Sequence, residues 1–177
     1  MSKYPVALQR YVDTDVLEER DLHAAAAFIE VAQRSGEGEV PELVWLAVAL
    51  ALGAFRDQHM CIDLEYIAKW AEEKNPDVWR DALMSCGYVV VEPSAAGVLP
   101  RRPFVLDGYL LYVHRSWAEE CFVAAALSRG GAEHLTVLLG GPGSGKTTRV
   151  AKDLVELFSQ AGDQPPLVAL AAPTGKA

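Results

Sequence analysis

The sequence is poor in the residues that build disulfide-held or metal-held folds. Its 177 residues include three cysteines and four histidines. Cys61, Cys86 and Cys121 stand far apart and form no Cys-x-x-Cys pair, which argues against a zinc site and against a disulfide framework. The histidines are scattered, and no spacing matches a Ser-His-Asp or Cys-His set. We therefore expect neither a small secreted scaffold nor a triad hydrolase.

Long apolar segments are also absent. The longest uninterrupted apolar run, residues 43–55, has 13 residues, whereas a membrane-spanning helix needs about 18 to 20. The N-terminus, Met-Ser-Lys-Tyr-Pro, has no apolar signal segment. The sequence therefore predicts a cytoplasmic protein without a membrane partner. A composition of 51% hydrophobic and 23% charged residues excludes a wholly disordered chain and a collagen-like repeat.

Positive charge is scarce in most of the chain. The net charge is −8, and residues 1–130 carry 20 acidic against 12 basic residues, while residues 131–177 carry four of each. Because binding of a phosphate backbone relies on Lys and Arg, the acidic part is a poor candidate for holding nucleic acid by itself. Protein docking suits it better, and an acidic surface that only solubilises the chain is the alternative.

Apolar periodicity predicts an α-rich domain over residues 1–115, followed by a helical linker over residues 116–133. The predicted helices cover residues 14–35, 42–57, 63–73, 77–87 and 116–129. Asp15, Asp63 and Asp77 are their candidate caps, and the second helix, apolar nearly all round, is expected to be central.

A small antiparallel sheet is predicted within the same domain. Residues 88–91, 103–106 and 109–113 are rich in β-branched and aromatic residues, and Asp107-Gly108 predicts a two-residue hairpin turn. A DNA-reading winged helix is the alternative, but its recognition helix should be basic, and residues 77–86 are not. Tyr109, Tyr112 and Trp117 are expected to pack in the core.

The segment 134–177 has a different pattern. Residues 135–139 form a continuous apolar run that predicts a buried strand, and residues 147–160 predict a helix that turns its apolar side inward. That side consists of Val150, Leu154, Leu157 and Phe158. A second buried strand is predicted over residues 167–172. Strand, loop, helix and strand make one right-handed βαβ unit, so the fold class of this part is α/β.

Residues 140–147, GGPGSGKT, match the phosphate-loop pattern G-x-x-x-x-G-K-[ST] in full. Glycines let backbone amides turn inward around a phosphate, and the following helix adds the positive end of its dipole. Lys146 supplies a charge for the β- and γ-phosphates, and the Thr147 hydroxyl suits Mg²⁺. These two are the candidate catalytic residues, and Thr147 is the candidate metal ligand. The predicted nucleotide-binding residues are Gly140, Gly141, Pro142, Gly143, Ser144, Gly145, Lys146, Thr147 and Thr148. A glycine-rich turn without a ligand is the alternative.

Two stretches, residues 140–151 (GGPGSGKTTRVA) and residues 170–177 (LAAPTGKA), closely resemble the start of the motor domain in the RecD family. That family is the alpha subunit of exodeoxyribonuclease V, a superfamily 1 helicase moving 5′ to 3′ on DNA. Residues 59–64 (HMCIDL) and 103–117 (PFVLDGYLLYVHRSW) resemble the family's N-terminal domain more weakly.

The resemblance implies a fold, cofactors and partners. The fold is an α-rich docking domain followed by the first βαβ of a truncated P-loop (RecA-like) parallel-sheet domain. The cofactors are ATP and Mg²⁺, and Thr174, Gly175 and Lys176 are implied to contact single-stranded DNA, although by themselves they are an ordinary exposed turn. The implied partners are RecC-like and RecB-like subunits in a heterotrimer, which acts on a 5′ DNA end in double-strand break repair by homologous recombination.

The sequence departs from the family pattern in three respects. No glutamine lies between Gln58 and Gln160, so the adenine contact that the resemblance implies has no candidate. Arg149 replaces a threonine common in the family and is expected to be exposed. Residues 135–177 number 43, whereas such a domain usually has about 100 or more.

No acidic motif follows the loop to hold Mg²⁺, and Asp153 and Glu156 on the next helix have no reason to reach the γ-phosphate. We therefore expect this polypeptide not to hydrolyse ATP at a helicase rate. Two alternatives to a helicase subunit remain. One is a catalytically inactive module that docks on a RecC-like subunit. The other is a small-molecule kinase, which would need a substrate lid and a second acidic motif that the sequence lacks.

Overall fold

The structure is a computed structural model that describes residues 4–93, 102–129, 136–161 and 166–170. The chain divides into two compact units, Met1–Arg129 and Gly130–Ala177. The described residues form a mixed α/β structure, as the sequence predicts. Within them, no helix is both long enough and apolar enough to span a bilayer.

The first unit is mainly helical and contains one small sheet. It opens with a short 3₁₀ helix, Val6–Leu8, and its remaining elements follow in chain order. They are α1 Gln9–Asp13, α2 Glu19–Arg34, α3 Glu42–Arg56, β1 Cys61–Asp63, α4 Leu64–Trp70, α5 Pro76–Met84, β2 Val90–Val91, β3 Phe104–Asp107, β4 Leu110–Val113 and α6 His114–Arg129. The described part of the second unit contains α7, Lys146–Gln160.

Helix α3 is the centre of the first unit, as its apolar sequence predicts. Eight of its residues are buried, and α2, α5, β1 and β4 all contact it. These buried residues are Val44, Leu46, Ala47, Val48, Ala49, Leu50, Ala51 and Gly53. A helix that is apolar on every side has no face that water can solvate well, so the other elements must enclose it.

The predicted start of α2 is wrong, and Asp15 is not its cap. The helix begins at Glu19, with Glu18 as N-cap and Asp21 completing a capping box. Asp15 instead has a positive φ of 58° and lies in a turn in which the Val16 N–H donates to Tyr11 O at 2.9 Å. Because this turn keeps Asp15 and Val16 outside the helix, α2 begins only after its capping box, at Glu19.

Of the two caps predicted for α4 and α5, one is confirmed and one is wrong. Asp63 caps α4, since its Oδ1 accepts from the Glu65 N–H at 2.8 Å. Helix α5 is capped by Asn75, whose side chain accepts from the Asp77 N–H at 3.0 Å. Pro76 then occupies the first turn, where its missing N–H costs nothing, so the helix begins one residue before Asp77.

The sheet has the strand order β1-β4-β3-β2, and the prediction that it is purely antiparallel is wrong. β4 pairs antiparallel with β1 and with β3, whereas β2 pairs parallel with β3. A parallel pair needs a connection of about a dozen residues or more, because the chain must return to the same end of the sheet. Residues 92–103, which join β2 to β3, are long enough for this, whereas a tight turn would have made the pair antiparallel.

The β3–β4 hairpin is confirmed, but its turn is shifted by one residue. Asp107 pairs with Leu110, so Gly108 and Tyr109 form the two-residue connection. Gly108 has a φ of +62°, and a glycine with positive φ at the first turn position suits the right-handed twist of the strands. Tyr112 is buried as predicted, and the half-buried Tyr109 donates from its hydroxyl to Asp77 Oδ1 at 2.5 Å.

In the second unit the helix prediction is confirmed, but the predicted packing is not found. Helix α7 buries none of its residues, and of its predicted inward side chains Val150, Leu157 and Phe158 are exposed, while Leu154 is half-buried. The predicted strands at 135–139 and 167–172 are not strands where the structure describes them, at residues 136–140 and 166–170. A strand exists only by pairing, and neither segment has a ladder partner among the described residues.

An ion-pair network joins α2 to the C-terminal end of α3. Arg56 donates from Nη1 to Asp21 Oδ2 at 2.5 Å and from Nε to Asp57 Oδ1 at 2.9 Å. The same guanidinium lies 3.2 Å from Glu18 Oε1. Asp21 is only 4% exposed, and a Cβ at Gly53 would lie 3.3 Å from its Oδ2. The glycine therefore lets the buried carboxylate sit against α3.

The network favours charged carboxylates. The hydrogen bond from Arg56 lowers the pKa of Asp57, and the hydrogen bond from Arg20 lowers the pKa of Glu18, with a smaller contribution from Arg56. A group whose pKa is lowered by folding stabilises the folded state above its unfolded pKa, near 4, and loses that contribution as the pH falls through the folded value. The network is therefore expected to weaken in acid.

We predict that Arg56→Met lowers the free energy of unfolding by about 2 to 4 kcal/mol near neutral pH, because Asp21 would keep a buried charge without its partner. Urea unfolding followed by circular dichroism measures the change. The deficit should shrink as the pH falls through the lowered pKa values of Asp57 and Glu18, because the network of the unchanged protein then loses its charge.

The matched control is Arg34→Met, because Arg34 makes an exposed ion pair with Glu30 at 2.5 Å, four residues away. This variant should lose about 0.5 kcal/mol or less. A loss of the same size in both variants, or a deficit for Arg56→Met that does not change with pH, would contradict the role given to the network.

Candidate functional site

Residues 140–147 form a closed turn that leads directly into α7. Gly143 and Gly145 have φ angles of +74° and +78°, in the left-handed region that side chains other than glycine rarely adopt. Gly145 is the N-cap of α7. A Cβ at Gly140 would overlap Ser144 Oγ. Gly143 and Gly145 are therefore required by their backbone conformation, and Gly140 is required by the position of the Ser144 side chain, while Gly141 has open space around it.

The side chain of Lys146 closes the turn. Its ammonium donates to the carbonyl oxygens of Gly140 and Gly141, the latter at 2.8 Å, and to Ser144 Oγ at 3.3 Å. Lys146 is thereby half-buried although it is the first residue of a helix. The carbonyls face the lysine, so the opposite side of each peptide, which carries the N–H, is directed away from it.

The amides at the start of α7 are open. The first helical hydrogen bond is donated by the Arg149 N–H to Gly145 O at 2.9 Å, so the N–H groups of Lys146, Thr147 and Thr148 precede the intrahelical ladder. No acceptor is found for these three within the described residues. Unpaired N–H groups at a helix N-terminus, together with the helix dipole, favour an anion.

The predicted nucleotide-binding residues lie together in one described segment. Thr147 and Thr148 are exposed in the first turn of α7, and Pro142 and Gly143 are at the tip of the loop. Beside the loop is a shallow groove of about 160 Å³. It is lined by Leu138, Leu139, Ser144, Gly145, Lys146 and Arg149. The arrangement offers one ammonium, two threonine hydroxyls and several amides to a phosphate chain.

The carboxylates of α7 are engaged elsewhere, as the sequence predicts. Asp153 accepts from Arg149 Nε at 2.8 Å, and Glu156 accepts from Gln160 Nε2 at 3.1 Å. Arg149 is exposed, as expected. Among the described residues, no group of three or more His, Cys, Asp or Glu side chains could hold a metal ion. Of the described loop residues, Thr147 has an exposed hydroxyl oxygen of the kind that a magnesium ion accepts as a ligand.

The second predicted motif, Thr174, Gly175 and Lys176, lies outside the described residues. Sequence reasoning also missed an exposed aromatic surface in the first unit, formed by Tyr66 and Trp70 of α4. The only signal for it is the four-residue spacing of these aromatics, which puts both on one helix face.

Proteins similar to this chain show the family to which it belongs. A family described as AAA domain matches residues 124–177. The RecBCD enzyme subunit RecD of Mycolicibacterium smegmatis is 36% identical over 92% of this chain and 34% of its own length. The protein of the same name from Mycobacterium tuberculosis is 36% identical over 92% of this chain and 32% of its own length. The chain thus spans about a third of these curated relatives, and it belongs to the RecD family, of which it represents the N-terminal portion.

Proposed function

We propose that this chain is the docking and nucleotide-binding portion of an ATP-dependent 5′–3′ DNA helicase subunit in a RecBCD-type exonuclease. The observation that carries the proposal is the loop 140–147, in which Lys146 holds the backbone closed and three amides at the start of α7 have no acceptor in the part of the chain that the structure describes. The subunit would act in double-strand break repair by homologous recombination, and its location would be the cytoplasm.

The roles of the loop residues follow from their positions. The amides of Gly143, Gly145, Lys146, Thr147 and Thr148 would donate to phosphate oxygens, and Lys146 would exchange its carbonyl partners for the β- and γ-phosphates. Thr147, exposed at the second position of α7, would supply a hydroxyl oxygen to Mg²⁺. Magnesium, when bound, neutralises charge that develops on the phosphates.

DNA and protein partners complete the proposal. Thr174, Gly175 and Lys176 would donate a hydroxyl, an amide and an ammonium to the backbone of a single strand, which are suitable donors for phosphate oxygens. The strand would be one with a free 5′ end. The partners would be RecC-like and RecB-like subunits, and the relatives named as RecBCD subunits support this assignment.

We further propose that this polypeptide binds ATP without hydrolysing it at a helicase rate. Hydrolysis needs a group that orients water and an acidic residue that holds the metal, and an arginine finger adds about 10³- to 10⁵-fold. Asp153 and Glu156 point to other partners on α7. None of the described residues beside the loop supplies such a carboxylate.

A second candidate is a non-enzymatic module that docks on a RecC-like subunit. The first unit favours it, because this unit has its own core around α3 and carries the chain's excess of acidic residues. In that case the phosphate loop would be vestigial. The two candidates differ in whether the loop binds nucleotide, which a titration measures directly.

We predict that Lys146→Ala weakens binding of Mg-ATP by about 10- to 100-fold, because charge-assisted hydrogen bonds each contribute about 1.5 to 3 kcal/mol. Isothermal titration of ATP into the whole chain measures the change. The matched control is Lys152→Ala, an exposed lysine on the same helix, which should bind within about twofold of the unchanged chain.

Equal heats for the unchanged chain and Lys146→Ala would overturn the nucleotide-binding proposal and leave the docking module. A phosphate-release assay with single-stranded DNA present tests the turnover statement separately. Robust release that depends on Lys146 would show that the chain hydrolyses ATP unaided, contrary to our expectation.

We also predict that Gly140→Ala impairs ATP binding while Gly141→Ala does not. A methyl group at position 140 would overlap Ser144 Oγ and open the loop, whereas at position 141 it meets open space. The expected ratio of their dissociation constants is about tenfold, which corresponds to the typical cost of overpacking, about 1 to 3 kcal/mol. Fluorescence titration with a labelled ATP analogue checks the ratio. Equal affinity in the two variants would contradict the described loop.

A further inference from the structure

A groove of about 320 Å³ lies in the first unit between the C-terminal end of α3, strand β1 and helix α4. Its floor includes the buried side chains of Leu50 and Ile67. Its edges include Val16, which is 39% exposed, Trp70, which is 40% exposed, and Tyr66, which is 63% exposed. Large apolar side chains around one concave surface are typical of a protein-binding site.

Trp70 of α4 is not a core residue, unlike Trp79 of α5. Trp79 is 1% exposed, and its indole N–H donates to Glu73 O at 3.1 Å. Trp70 keeps two fifths of its surface in water, and its indole N–H has no acceptor within the described residues. A partner would therefore bury both an apolar ring and a free donor there, which is the usual role of tryptophan in interfaces.

The aromatic edge is held in place by local structure. Asp63 caps α4 by accepting from the Glu65 N–H, and residues Cys61–Asp63 are paired with β4. Tyr66 and Trp70 are four residues apart on α4, so they lie on the same face of the helix. The groove is thus bordered by a capped helix and a paired strand, and little order has to be gained when a partner binds.

The charge at the groove is negative. Asp57, Asp63 and Arg56 line it, and the Glu18 carboxylate lies 3.2 Å from the same guanidinium. Both oxygens of Asp57 accept from Arg56. At the aromatic edge, Lys69 Nζ lies 5.9 Å from the centroid of the Tyr66 ring, beside the exposed Glu65. Asp57 and Asp63 are exposed, so a cation placed at the edge of the groove would be attracted.

We propose that this groove binds a segment of a partner protein in which a leucine-sized or aromatic side chain lies next to a lysine or arginine. The apolar side chain would enter between Tyr66 and Trp70, and the cation would face Asp57 and Asp63. A single-stranded nucleic acid could stack bases on the same rings, but its phosphates would meet the carboxylates, so the charge favours a protein. The proposal does not rest on nucleotide binding, since no groove residue belongs to residues 130–177.

Three short synthetic peptides test the proposal on the whole ¹⁵N-labelled chain by nuclear magnetic resonance. One has a central leucine between two arginines, the second has glutamates in place of the arginines, and the third has serine in place of leucine. The first peptide should shift the indole resonance of Trp70 and the amide resonance of Tyr66. Its dissociation constant should be lower than those of the other two by about tenfold.

Tyr66→Ser and Asp57→Asn should each weaken binding of the first peptide, the former by about tenfold. Phe122→Ser is the matched control, because Phe122 is an aromatic residue 70% exposed on α6, outside the groove. It should leave the affinity unchanged. Unchanged amide resonances away from the substituted residue and a cooperative thermal unfolding transition show that each variant is folded, with a somewhat lower transition temperature expected for Asp57→Asn because it loses its ion pair with Arg56.

Three results would overturn the proposal: no shift at Trp70 or Tyr66 with any peptide, equal affinity for the three peptides, or retention of binding by Tyr66→Ser. A fourth would replace it with nucleic-acid binding, namely shifts of the same two resonances by an oligothymidylate at concentrations where the first peptide has no effect. Loss of nucleotide binding in Lys146→Ala leaves all of these outcomes unaffected, so failure of either proposal can be recognised independently.

Discussion

The need to enclose an apolar helix organises the first unit. Helix α3 is buried along most of its length, so α2, α5, β1 and β4 pack around it, and polar surface reappears only at its ends. The C-terminal end is where Arg56 emerges to pair with Asp21 of α2. The groove beside α4 begins at that same end. The position of this candidate docking surface is therefore a consequence of how the core closes.

The phosphate loop depends on a different kind of constraint, which acts within a few residues. Gly143 and Gly145 set the backbone direction through their φ angles, and Lys146 fixes the turn through the carbonyls of Gly140 and Gly141. None of these interactions needs a distant part of the chain. This explains how the loop keeps a geometry suited to an anion although α7 buries none of its residues.

These two kinds of constraint also explain what the sequence could predict. Helices α3 and α4 depend on local pattern and local caps. The bounds of α3 were predicted to within one residue, and the start of α4 was predicted from its Asp63 cap, although α4 ends at Trp70, three residues before its predicted end. The cap of α5 was missed because Asn75 and Asp77 both have suitable side chains, and Pro76 decides between them. The parallel pairing of β2 was missed because alternation indicates a strand but not its neighbour. Composition alone could not distinguish the exposed Trp70 from the buried Trp79, since their surroundings are built by elements far apart in the chain.

The uneven charge of the chain is compatible with both proposed roles because they use different physics. Attraction of a protein segment depends on the sign of the charge around a groove, and residues 1–130 supply carboxylates in excess. Phosphate binding at the loop depends on N–H groups and one ammonium at contact distance. It therefore needs no net positive charge, and residues 131–177, with four acidic and four basic residues, suffice.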